Sequence, residues 1–228
     1  GYNPVMENAL QATAFIDSNS AEIINFATTV IGKENHPTQQ AIKLYYAVRD
    51  GIFYDPYRIQ FPPAGMKAST TLKQGYGYCV AKAVLLAAAG RAIGIPSRIG
   101  FSDVKNHLSS EKLLQVMQSD VFAWHGYTEF YLNQRWVKAT PAFNKSLCDK
   151  AGIKPLEFDG INDSIFHEFD TAGNKHMEYL HEHGHFYDLP FQQIITAYKD
   201  HYPVLAKMID QQAKIAITGN FENEATAN

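Results

Sequence analysis

The sequence has little cysteine, little net charge and no long apolar run, and each of these absences excludes a class of protein. Two cysteines, Cys79 and Cys148, in 228 residues exclude a disulfide-rich scaffold and leave either one bridge or two free thiols. A formal net charge of −3 predicts no electrostatic footprint for nucleic acid or for an anionic membrane. The longest uninterrupted apolar run, residues 83–89, is far shorter than the roughly 20 residues of a spanning helix, so we expect no membrane span.

The rest of the composition is typical of a globular domain. Hydrophobic residues make up 46% of the chain and charged residues 19%, which is enough apolar material for a sizeable core. A length of 228 residues favours one domain with extensions over two domains. The chain starts with glycine and shows no signal-peptide pattern. We expect a soluble protein, with the cytoplasm slightly favoured and a removed signal peptide left open.

Local patterns predict helices combined with a few strands. Asn19, with Glu22 three positions later, is typical of an N-terminal capping box. We expect helices over about 19–31, 37–51, 79–93, 109–118 and 190–213, strands over about 52–54, 97–101, 122–132 and 136–140, irregular chain over about 61–71 and 141–170, and a frayed tail from about 220 onward. This order of elements predicts an α+β fold.

Cys79 is the first candidate for a reactive group. It opens the segment CVAKAVLLAAAGRAI, whose alanines and leucines predict a buried helix. The partial positive charge at a helix N-terminus favours a thiolate, and the free backbone N–H groups there are placed to bind an oxyanion. An isolated cysteine in such a helix is more often a small core residue, so the interpretation needs a base nearby. Cys148 has no comparable context and is interpreted as an incidental thiol.

His125 is the candidate base. It lies in the segment FAWHGYTEFYL, residues 122–132, whose aromatic and β-branched residues predict a strand. Strand alternation places His125 and Tyr127 on one face, and Thr128 and Phe130 on the other face, which we expect to meet the core. A rigid strand is a good platform for a catalytic base.

Three separated blocks of the sequence resemble one family, the transglutaminase-like superfamily, in its bacterial single-domain form. The block GYGYCVAKAVLLAAAGRAIGIPSRIGF resembles the nucleophile helix, WHGYTEFYLNQRWVKATPAF the histidine strand with the strand after it, and AIKLYYAVRDGIFYDPY the helix before this core. The resemblance covers about residues 38–143 and implies a papain-like α+β fold in which the nucleophile helix packs on an antiparallel sheet. We then expect residues 1–228 to form one such domain, with an N-terminal helical extension and a C-terminal irregular and helical extension.

The resemblance also implies roles for individual residues. The family's nucleophile falls on Cys79 and its base on His125. Its third catalytic residue, an aspartate four positions after a tryptophan, falls on Thr140, four positions after Trp136. A threonine hydroxyl at this orienting position accepts a hydrogen bond from the imidazole but does not stabilise imidazolium as a carboxylate does. Gln74, five positions before the cysteine, is the candidate oxyanion donor.

Three other residues are alternatives for the orienting role. Asn144 follows the second strand closely, and related cysteine hydrolases use asparagine in this role. Asp159 and Asp163 lie in the segment expected to be irregular, from which either carboxylate would have to fold back. We expect Thr140 to be the orienting residue on position alone.

The function implied is acyl transfer through a thioester, with hydrolysis of an amide or peptide bond, or transamidation, as the outcome. The expected substrate is a peptide, a protein or a small amide, and no cofactor is expected. No calcium loop of the D-x-[DN]-x-[DN]-G type occurs, so metal-dependent cross-linking is not favoured. The alternative is a binding module that keeps the fold but is catalytically impaired, because Thr140 replaces the expected aspartate.

A cluster of histidines lies towards the C-terminus. On a strand, His181, His183 and His185 would share one face, an arrangement that can bind a transition metal. Gly184 interrupts the pattern, and with His176 the cluster matches no strong zinc motif. We therefore expect a solvated surface segment and no metal site, and leave open whether these four histidines bind a metal.

Overall fold

The computed structural model of the protein describes residues 4–106, 108–165, 177–211 and 217–227. In these ranges the helices are α1 (Pro4–Asn8), α2 (Ala21–Ile31), α3 (Pro37–Gly51), α4 (Ala68–Gln74), α5 (Cys79–Ala92), α6 (Glu111–Met117), α7 (Lys145–Ala151), α8 (Phe191–His201), α9 (Pro203–Asp210) and α10 (Phe221–Glu224). The strands are β1 (Phe53–Tyr54), β2 (Tyr76–Gly77), β3 (Ser97–Asn106), β4 (Leu108–Ser109), β5 (Val121–Leu132), β6 (Arg135–Ala139), β7 (Met177–Phe186) and β8 (Thr226–Ala227).

A four-stranded sheet in the order β6-β5-β3-β7 forms the centre of the fold. All its neighbouring strands are antiparallel. The turn between β5 and β6 has a positive φ at both Asn133 and Gln134, as the favoured two-residue hairpin turn requires. The short pairs β1–β2, which is parallel, and β4–β8, which is antiparallel, lie outside this sheet. The predicted α+β fold with an antiparallel sheet is confirmed.

Helix α5 packs on this sheet. All of its residues except the last are buried, Lys82 and Arg91 included, as expected for a helix whose other residues are apolar or glycine. The hydroxyl of Thr128 on β5 donates a hydrogen bond to the carbonyl of Ala83 at 2.9 Å. Gly90 lies so close to β5 that an added Cβ would stand 2.7 Å from a ring carbon of Phe130. Thr128 and Phe130 therefore face the core, as the strand pattern predicts.

Several local predictions are wrong in detail. Helix α2 is capped by Ser20, whose hydroxyl oxygen accepts the N–H of Ile23, and not by Asn19. The segments expected to be irregular contain α4 and α7, which are each seven residues long, too short for a helical apolar period to stand out. The single helix expected over 190–213 is interrupted at Pro203, which opens α9 because it has no N–H with which to continue α8.

The histidine-rich segment forms strand β7 at the edge of the main sheet. It is partly exposed, as expected of a surface segment, but it pairs with β3 along its length. The register shifts opposite Phe101 and Ser102, and Gly184 next to this shift has a φ of +88°. Glycine tolerates this backbone conformation. Gly184 therefore stays paired within β7, next to a bulge, and does not end the strand. His176 lies outside the described residues.

The C-terminus is packed rather than frayed. Phe221 is only 3% exposed and its ring meets those of Tyr54 and Tyr57 edge-on, with centroids 5.6 Å and 5.4 Å away. Strand β8 pairs with β4. The prediction of a frayed tail is wrong, because Phe221 anchors the segment. A single aromatic residue among polar neighbours gives no hydrophobic periodicity, so the sequence pattern did not predict this packing. No helix in the described ranges combines the length and apolar character that crossing a bilayer requires.

Candidate active site

Cys79 is the first residue of α5, as the sequence predicts. The short strand β2 precedes this helix and pairs in parallel with β1, with Tyr54 opposite Gly77. Gly77 is held close to the helix, since an added Cβ would stand 3.0 Å from the Cβ of Ala81. No side chain caps the start of α5, so its first N–H groups are free for other acceptors. Both Cys79 and Cys148 are buried free thiols.

His125 lies on β5 beside the start of α5. The contact is made by the next residue, Gly126, where an added Cβ would stand 3.1 Å from the Cα of Val80. The backbone of Gly126 also lies close enough to the Cys79 sulfur to lower the pKa of the thiol. Because Gly126 follows His125 directly in the chain, this close approach brings the backbone of the candidate base to the start of α5. Cys79 and His125 line the same cavity.

A distortion of β5 precedes His125. Trp124 has a φ of 56°, unusual for a residue with a side chain, and the register between β3 and β5 shifts between Ser102 and Val104. Such a bulge re-aims the side chains of a strand near a site. Strict alternation along β5 therefore does not determine where the His125 side chain lies.

Burial controls the protonation of both groups. It raises the pKa of the Cys79 thiol to about 11, although backbone hydrogen bonds from Gly126, Val80 and Cys79 itself lower it. It lowers the pKa of His125 to about 4. Burial therefore opposes the thiolate expected from the helix N-terminus more strongly than the N–H groups favour it. We expect the pair to rest as neutral thiol and neutral imidazole.

Thr140 and His125 share no hydrogen bond in the described part of the chain. Thr140 is buried, and its hydroxyl donates to the carbonyl of Ile165 at 2.7 Å. The Nδ1 atom of His125 is buried without a hydrogen-bond partner among the described residues. The orienting role of Thr140 stays a prediction, and the hydroxyl's bond to Ile165 argues against it.

The alternatives for the orienting role are engaged elsewhere. Asn144 is buried, accepts the N–H of Tyr54 at 3.0 Å and donates to Glu222 at 3.1 Å. Asp159 is exposed and accepts hydrogen bonds from the turn that follows it, and Asp163 accepts the N–H of Lys138 at 2.9 Å. None of the three is among the residues that line the cavity of Cys79.

Gln74, the candidate oxyanion donor, is the last residue of α4. Its side-chain amide donates to the carbonyl of Tyr76 at 2.9 Å, and its oxygen accepts from Gln60 at 2.7 Å. It does not line the cavity of Cys79. The oxyanion role of Gln74 stays a prediction, and its contacts outside the cavity argue against it.

The histidines of β7 are not gathered into a metal centre within the described residues, which contain no group of three or more His, Cys, Asp or Glu side chains suited to one. His183 is instead bound to Asp103, with 2.8 Å between Nε2 and Oδ1. Its ring stacks on Trp124 at 4.1 Å between centroids. Through these two contacts, His183 lies against the bulge in β5 that precedes His125.

The cavity has walls that the sequence alone does not single out. Its polar groups are those of Cys79, His125 and four tyrosines, and the rest of the wall is apolar. Tyr198 and Tyr202 reach it from the C-terminal helices. The only sequence feature that could have indicated Tyr198 and Tyr202 is their aromatic character, and tyrosines that pack only in the core show the same feature.

Comparison with solved structures finds eight matching chains, among them two proposed proteases of low identity. A proposed cysteine protease from Cytophaga hutchinsonii is 17% identical, with a TM-score of 0.47 over 61% of this chain and 43% of that one. A proposed protease from Parabacteroides distasonis ATCC 8503 is 14% identical, with a TM-score of 0.38 over 60% of this chain and 25% of that one. This chain therefore spans less than half the length of either protein.

Comparison with curated proteins finds no match. The family model described as the transglutaminase-like superfamily matches residues 24–141, which is just over half of the chain and includes α5 and β5. The matched range contains Cys79 at the start of the helix, His125 on the strand and Thr140. The chain belongs to the transglutaminase-like superfamily.

Proposed function

We propose that this protein is a cysteine-dependent acyl-transfer enzyme that acts on a peptide, a protein or a small amide through a thioester. Cys79 is the nucleophile and His125 is the base. The observation that carries the proposal is that Cys79, at the N-terminus of α5, lines one cavity with His125, while the adjacent Gly126 packs against Val80 at the start of the same helix. Membership of the transglutaminase-like superfamily supports the same assignment.

In the first step, the Cys79 sulfur forms a bond to the carbonyl carbon while the thiol proton moves to a nitrogen of His125. A neutral imidazole is required, and the lowered pKa of His125 keeps it neutral at pH 7. The oxyanion is bound by N–H groups at the start of α5, which are preorganised for it. The tetrahedral intermediate then breaks its carbon–nitrogen bond, and His125 gives the proton to the leaving amine.

In the second step, water or an amine attacks the thioester carbon. His125 removes a proton from the attacking group and returns it to the sulfur as the carbon–sulfur bond breaks. Water gives a carboxylic acid, and an amine gives a new amide. Burial of Cys79, which is 5% exposed, keeps bulk water away, so entry of the second reactant requires local opening.

The second candidate is a binding module that has lost catalysis. It is favoured by the unpartnered Nδ1 of His125 and by the threonine at the family's aspartate position. With no described carboxylate bonded to His125, the imidazolium formed in the first step is stabilised less than in a complete triad.

Incubation with 4-nitrophenyl butyrate, followed by intact-protein mass spectrometry, separates the two candidates. The acyl-transfer proposal expects one butyryl group on wild-type protein and on Cys148→Ala, none on Cys79→Ala, and a slower reaction in His125→Ala. Cys148→Ala is a matched control because Cys148 is also a buried free thiol. A wild-type protein that carries no butyryl group and releases 4-nitrophenolate no faster than Cys79→Ala would rule out acyl transfer by Cys79 and favour the binding module.

A further inference from the structure

The cavity beside Cys79 is enclosed by apolar side chains from several elements. Within the described part of the chain, no Asp, Glu, Lys or Arg lines it. Residues on either side of Cys79, on α6 and on the C-terminal helices contribute to its walls, among them Ile59, Leu113, Met117, Phe122 and Leu205. This composition is typical of a pocket that binds an uncharged, apolar group.

Most of the tyrosine hydroxyl groups in the walls already have hydrogen-bond partners within the protein. The hydroxyls of Tyr78 and Tyr198 are hydrogen-bonded at 3.0 Å. The hydroxyl of Tyr202 accepts the N–H of Ala123 at 2.8 Å and donates to the carbonyl of Val121 at 2.6 Å. Three of the four tyrosines in the wall are therefore engaged. A charged group placed here would lose its hydration without gaining a counter-ion.

The cavity is also small. The space open to the centres of water molecules is about 40 Å³, which is room for about three waters. Three waters occupy about 90 Å³ in the liquid, which is the volume of a short hydrocarbon chain of three or four carbons. A long chain needs the walls to move.

We propose that this cavity is the acyl pocket of the enzyme and that it selects a short, uncharged, apolar acyl chain of three or four carbons on the carbonyl that Cys79 attacks. The inference rests on the acyl-transfer function proposed above. It adds the chemical class of the acyl donor, which the family assignment leaves open.

A series of 4-nitrophenyl esters tests the proposal on the wild-type protein. The acyl groups are acetyl, butyryl, octanoyl and 4-(trimethylammonio)butyryl, and the rate with Cys79→Ala is subtracted. We expect the highest kcat/KM for butyrate, about tenfold lower values for acetate and octanoate, and a value at least about 100-fold lower for the cationic ester. Equal rates for all four, or a preferred cationic ester, would overturn the pocket while leaving acyl transfer intact. A Cys79 that no ester acylates would overturn the acyl-transfer function and, with it, the acyl pocket.

A pair of variants on one helix tests the location of the pocket. Met117→Ala removes a half-buried wall residue, whereas Val116→Ala removes a half-buried neighbour that does not line the cavity. We expect the octanoate-to-butyrate ratio of kcat/KM to rise about tenfold in Met117→Ala and to stay at the wild-type value in Val116→Ala. Because the ratio is internal to each variant, it does not depend on the folded fraction. An unchanged ratio in Met117→Ala would place the acyl chain outside this cavity.

Discussion

Asp103 holds Trp124 in place through its Oδ1 atom, which accepts the Trp124 backbone N–H at 2.9 Å. The same oxygen lies 2.8 Å from Nε2 of His183, and the ring of His183 stacks on Trp124. The carboxylate thus stabilises the bulge in which Trp124 has its φ of 56°. Since His125 is the next residue, we expect Asp103 to position the candidate base.

Asp103→Ala is expected to slow acyl transfer without changing the acyl preference. Loss of the bond to Trp124 frees the bulge and the geometry of His125, so kcat should fall about tenfold or more, while KM and the butyrate-to-octanoate ratio stay near wild-type values. Unfolding in urea should show a loss of about 1–3 kcal/mol. Asp120→Ala is the control, because Asp120 is exposed near the same strands. If kcat in Asp103→Ala falls no more than in Asp120→Ala, the positioning role is refuted.

The alkylation of Cys79 by iodoacetamide should rise steadily with pH. With a thiol pKa of about 11, the thiolate fraction and hence the rate are expected to increase about tenfold per pH unit from pH 6 to pH 9. The measurement uses Cys148→Ala so that only one thiol reacts, with the modified peptide identified by mass. A fast rate that is already constant at pH 6 would show a thiolate–imidazolium pair and contradict the neutral resting pair.

Burial of neutral His125 should make the fold less stable in mild acid. In the folded protein its pKa is about 4, and in the unfolded chain it is about 6.5, so the unfolded state binds more protons between these values. The free energy of unfolding therefore falls as pH decreases from about 6.5 towards about 4, by about 2 kcal/mol at pH 5 from this group.

Urea unfolding at pH 7 and pH 5 measures that loss. His125→Gln should lose about 2 kcal/mol less than wild-type protein between these two pH values, whereas exposed His36→Gln should keep the wild-type dependence. The same pH dependence in His125→Gln and wild-type protein would show that His125 is not buried neutral.

A matched pair of Thr→Val variants tests the orienting role of Thr140. Thr140 and Thr128 are both buried and each donates to a backbone carbonyl, at 2.7 Å to Ile165 and at 2.9 Å to Ala83. Each substitution should cost about 1–2 kcal/mol of stability. Since the Thr140 hydroxyl is bonded to Ile165, we expect both variants to keep kcat within about threefold of wild type. A fall of about 100-fold or more confined to Thr140→Val would show that Thr140 orients His125.

Local patterns predicted the elements that build the site. The alanine-rich run after Cys79 predicted α5 almost residue for residue, because alanine and leucine favour a helix and a helix that is mostly apolar is usually buried. Alternation along β5 predicted that Thr128 and Phe130 face this helix. The polar helices α4 and α7, the strand β7 and the packed end around Phe221 were missed, because their hydrophobic patterns are short or broken.

The sequence by itself determined the α+β class, the helix headed by Cys79 and the strand that carries His125, since propensity and periodicity act over neighbouring residues. Only the tertiary structure decided the burial of this pair, because distant residues such as Tyr198 and Tyr202 close the cavity around both groups, and this burial opposes their charged forms. It also decided the bulge held by Asp103 and the small apolar cavity. The two cysteines that the sequence left as a bridge or two thiols are separate buried thiols, and only Cys79 lies beside a candidate base.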